Sequence, residues 1–152
     1  MIQHKETYHS KFSSKQLYEL VGDIERYPEF LPWCASARII ENKEQEVIAE
    51  LVIRFTAFVE QYKSKVSFID AGNDRYEIIV EAVEGPFKTL KNHWIFSHDK
   101  SYGQTKVVFE IQFEFKSFIL QKMIGAMFEM GLRKMMDAFE KRAAHICGTT
   151  PL

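Results

Sequence analysis

Residues 47–55 and 107–115 constrain this chain most, because apolar side chains recur there at every second position. Val47, Ala49, Leu51, Ile53 and Phe55 share one face of the first segment. Val107, Phe109, Ile111, Phe113 and Phe115 share one face of the second, with Lys106, Glu110, Gln112 and Glu114 on the other. A period of two fits a pleated strand with one buried face and does not fit a helix. Weaker alternation at 36–41, 60–69, 75–83 and 88–97 completes a run of six strands with short connections, for which an antiparallel meander is the economical topology. Residues 2–10 add a candidate edge strand.

The period then changes. Over about 118–146, Leu120, Ile124, Met127, Phe128, Gly131, Met135, Ala138 and Phe139 form one stripe at helical spacing, with Lys122, Glu129, Arg133, Asp137 and Glu140 opposite. Glu129–Arg133 and Asp137–Lys141 are spaced as i,i+4 ion pairs. Met123, Met130, Leu132 and Met136 widen the apolar arc, and methionine adapts to irregular apolar partners. A meander followed by one long amphipathic helix is an α+β fold. Near the start, Ser13 with Gln16 three residues on predicts a capping box, and Gly22-Asp23 ends that short helix. Pro28 and Pro32 restrict residues 24–34 to a helical turn and an irregular aromatic stretch.

A chain of 152 residues, 46% hydrophobic and 27% charged, is sized and composed for one globular domain, expected over 1–147 with a tail at 148–152. The net charge of −1 gives no general affinity for nucleic acid, so no DNA partner is expected. Cys34 and Cys147 form no framework of disulfides, which points to a reducing compartment and a cytoplasmic location. The first residues carry no apolar signal-peptide core, and no stretch has the length of a membrane-spanning helix.

In a meander, alternate connections share an end. Asn42–Gln45, Asp70–Asp74 and His98–Gln104 gather at one end and are polar. The other end collects Thr56-Ala57-Phe58, Glu84-Gly85-Pro86-Phe87, Lys116-Ser117-Phe118-Ile119 and the lead-in Phe30-Leu31-Pro32-Trp33. Connections usually face water and are polar. Apolar ones gathered at one end make either a plug over the core or the mouth of a lipid cavity that touches a membrane. Phe58, Pro86, Phe87, Phe118, Ile119 and Met123 are the residues expected at such a mouth.

Catalytic constellations are not evident. The five histidines are scattered, and His93 and His98 would face opposite ways on one strand. Asp23 and Glu25 read as a helix stop and a helix start rather than as paired catalytic carboxylates. Cys34 reads as a small apolar residue. No metal site or catalytic cofactor is expected.

The stretch Asp23-Ile24-Glu25-Arg26-Tyr27-Pro28-Glu29-Phe30-Leu31-Pro32-Trp33-Cys34 resembles the signature block of the coenzyme Q-binding START-like proteins, a family that also includes bacterial ribosome-association toxins. Gly85-Pro86-Phe87, followed by Leu90, Asn92, Trp94 and Phe96, resembles that family's second block, and the order of elements matches over nearly the whole chain. The resemblance implies a helix-grip fold, with a curved sheet of about seven strands wrapped around the C-terminal helix and two short helices after the first strand. It implies a cavity between sheet and helix for ubiquinone or a related prenyl quinone, and a role as quinone chaperone in respiratory electron transfer.

The positions expected to meet that ligand are Leu31, Trp33, Leu51, Ile53, Phe55, Tyr62, Val66, Val80, Leu90, Asn92, Trp94, Ile111, Phe113, Ile124, Met127, Phe128, Gly131 and Met135. Asn92 alternates in phase with Leu90, Trp94 and Phe96, and a buried amide needs a partner, either a quinone carbonyl or a nearby backbone group. Tyr62 and Tyr76 pose the same choice. Two further readings are open. One is a toxin-like protein that binds the large ribosomal subunit and blocks subunit joining, through Lys116, Lys122, Arg133, Lys134, Lys141 and Arg142. The other is an enzyme, since related folds include cyclases; a non-enzymatic binder at the inner membrane is the expectation here.

Overall fold

The computed structural model describes residues 1–55 and 58–148. Strand β1 (Ile2–Ser10) leads into helix α1 (Ser14–Gly22) and a short 3-10 helix (Ile24–Glu29). Strands β2 (Cys34–Lys43), β3 (Glu46–Phe55), β4 (Phe58–Gly72), β5 (Arg75–Glu84), β6 (Phe87–Asp99) and β7 (Gln104–Phe115) follow, then helix α2 (Phe118–Ile146). The strands form one antiparallel sheet in the order β1-β7-β6-β5-β4-β3-β2, a meander that β1 joins beside β7. This is the expected helix-grip arrangement. Register shifts in the β2–β3, β4–β5 and β6–β7 pairs mark bulges, which bend strands.

Several strands run longer than their alternation marks; β2 starts at Cys34 and β4 reaches Gly72. Asp70 to Gly72 of β4 are exposed on both faces, so alternation has no cause to persist there, whereas β2 starts at the buried Cys34, set off from its alternating stretch by the exposed Ala35 and Ser36. At one polar turn Asn73 and Asp74 both take left-handed φ, 54° and 58°, which suits a two-residue hairpin. The expected connection Thr56-Ala57 and the tail beyond Gly148 lie outside the described residues.

The capping box forms as the spacing predicts. The Gln16 N–H donates to Ser13 Oγ at 3.0 Å, and the Ser13 N–H donates to Gln16 Oε1 at 2.9 Å. Leu17, Leu20 and Val21 of α1 and Ile24 of the 3-10 helix are buried in one core with Leu31, Trp94, Phe96, Phe109, Leu132 and Phe139. Asp23 closes α1 through its N–H to the Leu20 carbonyl at 3.3 Å. Glu25 does more than start the next turn: its carboxylate accepts the Ile39 N–H at 2.9 Å, engaging the edge strand β2.

Helix α2 corrects three expectations. Its buried residues are Leu132, Phe139 and Ala143, all in the C-terminal half, while Met127 of the expected stripe is 42% exposed. Glu140 and Arg142 do not belong to a solvated face. Ser10 Oγ donates to Glu140 Oε2 at 3.3 Å, and Arg142 Nη2 donates to Glu29 Oε1 at 2.7 Å with its guanidinium 5.1 Å from the Phe30 ring centre. The last turns lie against β1 and the 3-10 helix, so positions opposite the stripe meet protein there. Burial holds the Glu140 carboxyl above the usual carboxylate range, and its Oε1 has no partner among the described residues. Finally, neither Glu129–Arg133 nor Asp137–Lys141 closes into an ion pair among the described residues; such exposed i,i+4 pairs contribute only about 0.3–0.5 kcal/mol.

Candidate functional site: paired cavities under the long helix

The apolar connections do meet at one end. The Arg54 N–H donates to the Trp33 carbonyl at 2.8 Å, joining the lead-in to the end of β3. The Lys116 N–H donates to the Pro86 carbonyl at 2.8 Å, joining the exit of β7 to the β5–β6 connection. Rings then gather. Phe87 stacks on Phe115 at 4.7 Å, Trp33 on Phe55 at 6.2 Å, and Tyr62 meets Phe87 edge-on at 5.1 Å. Phe58 stands edge-on to Phe115 at 6.5 Å.

Beneath this aromatic end the N-terminal half of α2 leaves space against the sheet. No residue from Phe118 to Gly131 is buried. An outer cavity of about 160 Å³ lies between that half and strands β3, β4, β6 and β7. An inner cavity of about 150 Å³ continues toward α1 and the 3-10 helix. The two share Trp33, Tyr62, Leu90, Phe109, Ile111 and Met135 as walls. Together they reach the lower end of the roughly 300–1,000 Å³ typical of small-molecule sites. A β-carbon built on Gly131 would meet nothing within 4 Å, so this glycine borders open space rather than a close approach of helix and sheet.

The ligand positions expected from the sequence converge here. Ile53, Phe55, Phe113, Ile124, Met127, Phe128 and Gly131 line the outer cavity, and Leu31, Leu51, Val66, Val80, Asn92 and Trp94 the inner one. Of the expected mouth residues, Phe87 lines the outer cavity, Pro86 is half-buried beside it, and Phe118, Ile119 and Met123 face outward, at 74%, 70% and 42% exposure. Tyr76 lies elsewhere, stacked on Tyr18 at 4.7 Å. Sequence reasoning missed Phe109, Phe115, Ser64, Tyr27, Val21, Ile24, Ile78, Phe139 and Leu132 as walls, although Phe109 and Phe115 stand on the inward face it had assigned to β7. Ser64 falls in phase with Tyr62 and Val66, a signal that was available. The α1 and 3-10 residues had none, because alternation in a sheet does not say where a preceding helix lands.

No carboxylate, amine or imidazole lines either cavity among the described residues. Burial raises the Tyr27 and Tyr62 phenols far above their usual range and pushes the Cys34 thiol up to about 11, so all three stay neutral. Tyr27 donates its hydroxyl to the Val21 carbonyl. Asn92 Nδ2 donates to the Glu110 carbonyl at 2.9 Å, which answers the amide's need for a partner with backbone. A larger hollow of about 580 Å³ on the opposite face of the sheet is an open trough between charged side chains, crossed by the Lys5–Glu110 pair at 3.5 Å. Its walls mix Ile79 and Ile111 with charged and polar side chains, unlike the apolar lining under α2.

Fold and cavities together define a helix-grip domain of the lipid-cavity type. The profile of the polyketide cyclase / dehydrase and lipid transport family matches residues 11–140, and the chain belongs to that family. A "Ribosome association toxin RatA" of Rickettsia prowazekii is 46% identical over 135 residues, covering 89% of this chain and 91% of that protein. The "Coenzyme Q-binding protein COQ10 homolog B, mitochondrial" of Xenopus laevis is 30% identical over 150 residues, covering 97% of this chain and 60% of that one. The solution structure of an 18 kDa protein from Caulobacter crescentus is 33% identical, with a TM-score of 0.77 over 97% of this chain and 99% of the other. No helix among the described residues is long and apolar enough to cross a membrane.

Proposed function

We propose that this protein binds a prenyl quinone of the ubiquinone type in the paired cavities and carries it, as a chaperone, in support of respiratory electron transfer. The observation behind this reading is the apolar-lined space that continues from an aromatic mouth into the core under a methionine-rich, loosely packed helix half. Such a site holds a ligand by burying its hydrocarbon, at ~0.8 kcal/mol per CH₂. The cavities have room for a ring and the first part of a tail, so a long tail leaves through the mouth. Exposed Phe118, Ile119 and Met123 stand at that end of α2 and suit a peripheral contact with the inner membrane, reached from the cytoplasm. The name of the 30% identical relative supports the same ligand. The test is organic extraction and mass spectrometry of protein purified without detergent from cells that make ubiquinone. Near-stoichiometric quinone is expected; protein that emerges empty and takes up no added quinone refutes the reading.

A second reading comes from the 46% identical relative, named for ribosome association: binding to the large ribosomal subunit in a way that inhibits subunit joining. Lys116, Lys122, Arg133, Lys134 and Lys141 are exposed and available to phosphate, whereas Arg142 is engaged by Glu29. Sedimentation with ribosomes at two salt concentrations tests it. Salt-sensitive comigration with the large subunit is its expected signature, and free protein at the top of the low-salt gradient removes it.

A further inference from the structure

Helix α2 is apolar on two faces in its N-terminal half, and the cavities account for only one of them. Between Phe118 and Leu132 its only charged residues are Lys122 and Glu129. Ile124, Phe128 and Gly131 line the outer cavity. On the far side Ile119, Met123 and Met130 are 70%, 42% and 64% exposed, and Ala126 is exposed between them. A surface helix normally carries polar residues there. Ile119, Met123, Ala126 and Met130 follow one another at intervals of 4, 3 and 4 residues, the a/d spacing of a coiled-coil seam. Lys122 and Glu129 are 7 residues apart and so take the same flanking position beside that seam. Both are exposed, and neither closes an ion pair within the chain among the described residues. Lys122 lies 5.3 Å from the centre of the Phe118 ring.

We infer that this outer face of α2 is covered by the same face of a second copy of the chain, in an antiparallel helix pair. Such a pair sets the a positions of one helix against the d positions of the other and brings equivalent flanks together. In the register that opposes Met123 to Ala126 of the second copy, Ile119 opposes its Met130, and the twofold axis repeats both layers. That same register brings Lys122 beside Glu129 of the second copy, and Glu129 beside its Lys122. Two ion pairs close where the lone chain has none. A parallel pair would instead set Arg133 against Arg133 and Asp137 against Asp137, the two residues that continue the spacing. In the antiparallel register both pass the start of the opposite helix. A bilayer is the rival cover, but it has no use for heptad spacing, and an anionic surface repels Glu129. Ile119 and Met123, suited to a membrane contact, are buried in the pair, so dimer and membrane-bound form exclude each other. The seam is short, about 18 Å at 1.5 Å per residue, which makes the dimer weak and readily opened.

The experiment is sedimentation equilibrium of the full chain from micromolar to submillimolar concentrations, with no ligand added, so its outcome is separate from that of the quinone reading. A concentration-dependent monomer–dimer equilibrium is expected. Lys122→Glu alone, or Glu129→Lys alone, weakens the dimer by roughly tenfold, because each sets like charges together at two places. The two changes combined in one chain restore it, since the swapped charges again meet their opposites. Ala126→Lys, which drives a charge into the middle of the seam, abolishes it. All three positions are exposed in the single chain, and melting curves matching the wild type establish that the variants fold. A chain that stays monomeric throughout, or a charge swap that fails to restore the dimer, overturns the inference. So does a monomer that floats with phosphatidylglycerol vesicles and loses that flotation in Ala126→Lys, a result that assigns the face to a bilayer.

Discussion

Gly85→Ala is expected to lower the melting temperature by roughly 10–15 °C, the equivalent of about 3–5 kcal/mol in a domain of this size. Two causes add. Gly85 has φ of +134°, a conformation that side chains bearing a β-carbon rarely adopt. The added carbon would also stand 2.5 Å from Tyr62 Cβ, 2.9 Å from Tyr62 Cα and 3.0 Å from the Gln61 carbonyl oxygen. Two of those atoms are backbone, so a rotamer change cannot relieve the overlap. The β5–β6 connection must lift away from β4 instead, and Tyr62, a wall of both cavities, moves with it. Gly103→Ala separates the causes. Gly103 has φ of +65° with nothing within 4 Å of the new carbon, so only the conformational term remains, about 1–2 kcal/mol. Thermal unfolding of both variants by circular dichroism decides the matter. Equal losses would mean that the contact with Tyr62 contributes nothing.

Gly85 also illustrates what a sequence makes legible. Its place in a connection of the apolar end follows from parity, but that it presses on Tyr62 is a cross-strand fact that depends on the bulge where Ser64 pairs with Ala82 and Lys63 with Glu84. The sheet itself was legible because β3 and β7 have one buried face each, so burial is printed as alternation. Positions on the inward faces could therefore be named before any coordinates, and they line the cavities.

The cavity was not legible, because Phe113 or Ile111 looks the same in sequence whether it faces a filled core or an open space. Glu140, expected opposite the apolar stripe, was misplaced for a related reason, and Arg142, expected to be available to a ribosome, for the same one. A helical wheel knows the main partner of a helix, here the sheet, and knows nothing of the β1 end and the 3-10 helix that meet its last turns. Asn92 shows the boundary within one residue: its need for a partner could be inferred, and its choice of the Glu110 carbonyl could not.

Gly131→Phe is expected to abolish lipid uptake, a loss of at least about a hundredfold in affinity, in a protein that still folds. The position is unusual in offering space: nothing lies within 4 Å of a β-carbon built there, and the residue lines the outer cavity of about 160 Å³. A cavity of about 150 Å³ holds a benzene ring, so a benzyl group fills this one and contacts the walls that a ligand would use. The passage from the mouth to the inner cavity is closed by the same ring, since both cavities share Trp33, Tyr62 and Phe109. Folding survives because the buried anchors of α2, Leu132, Phe139 and Ala143, are untouched. Gly131→Ala is the informative partner. It removes the cost of a mid-helix glycine, a gain of about 1 kcal/mol, and adds a single carbon that leaves the cavity open. A quinone titration of the three proteins, with melting curves alongside, then separates stability from occupancy. Binding should vanish in the phenylalanine variant and persist in the more stable alanine variant. A folded Gly131→Phe protein that retains quinone at the wild-type level would place the ligand somewhere other than under this half of the helix.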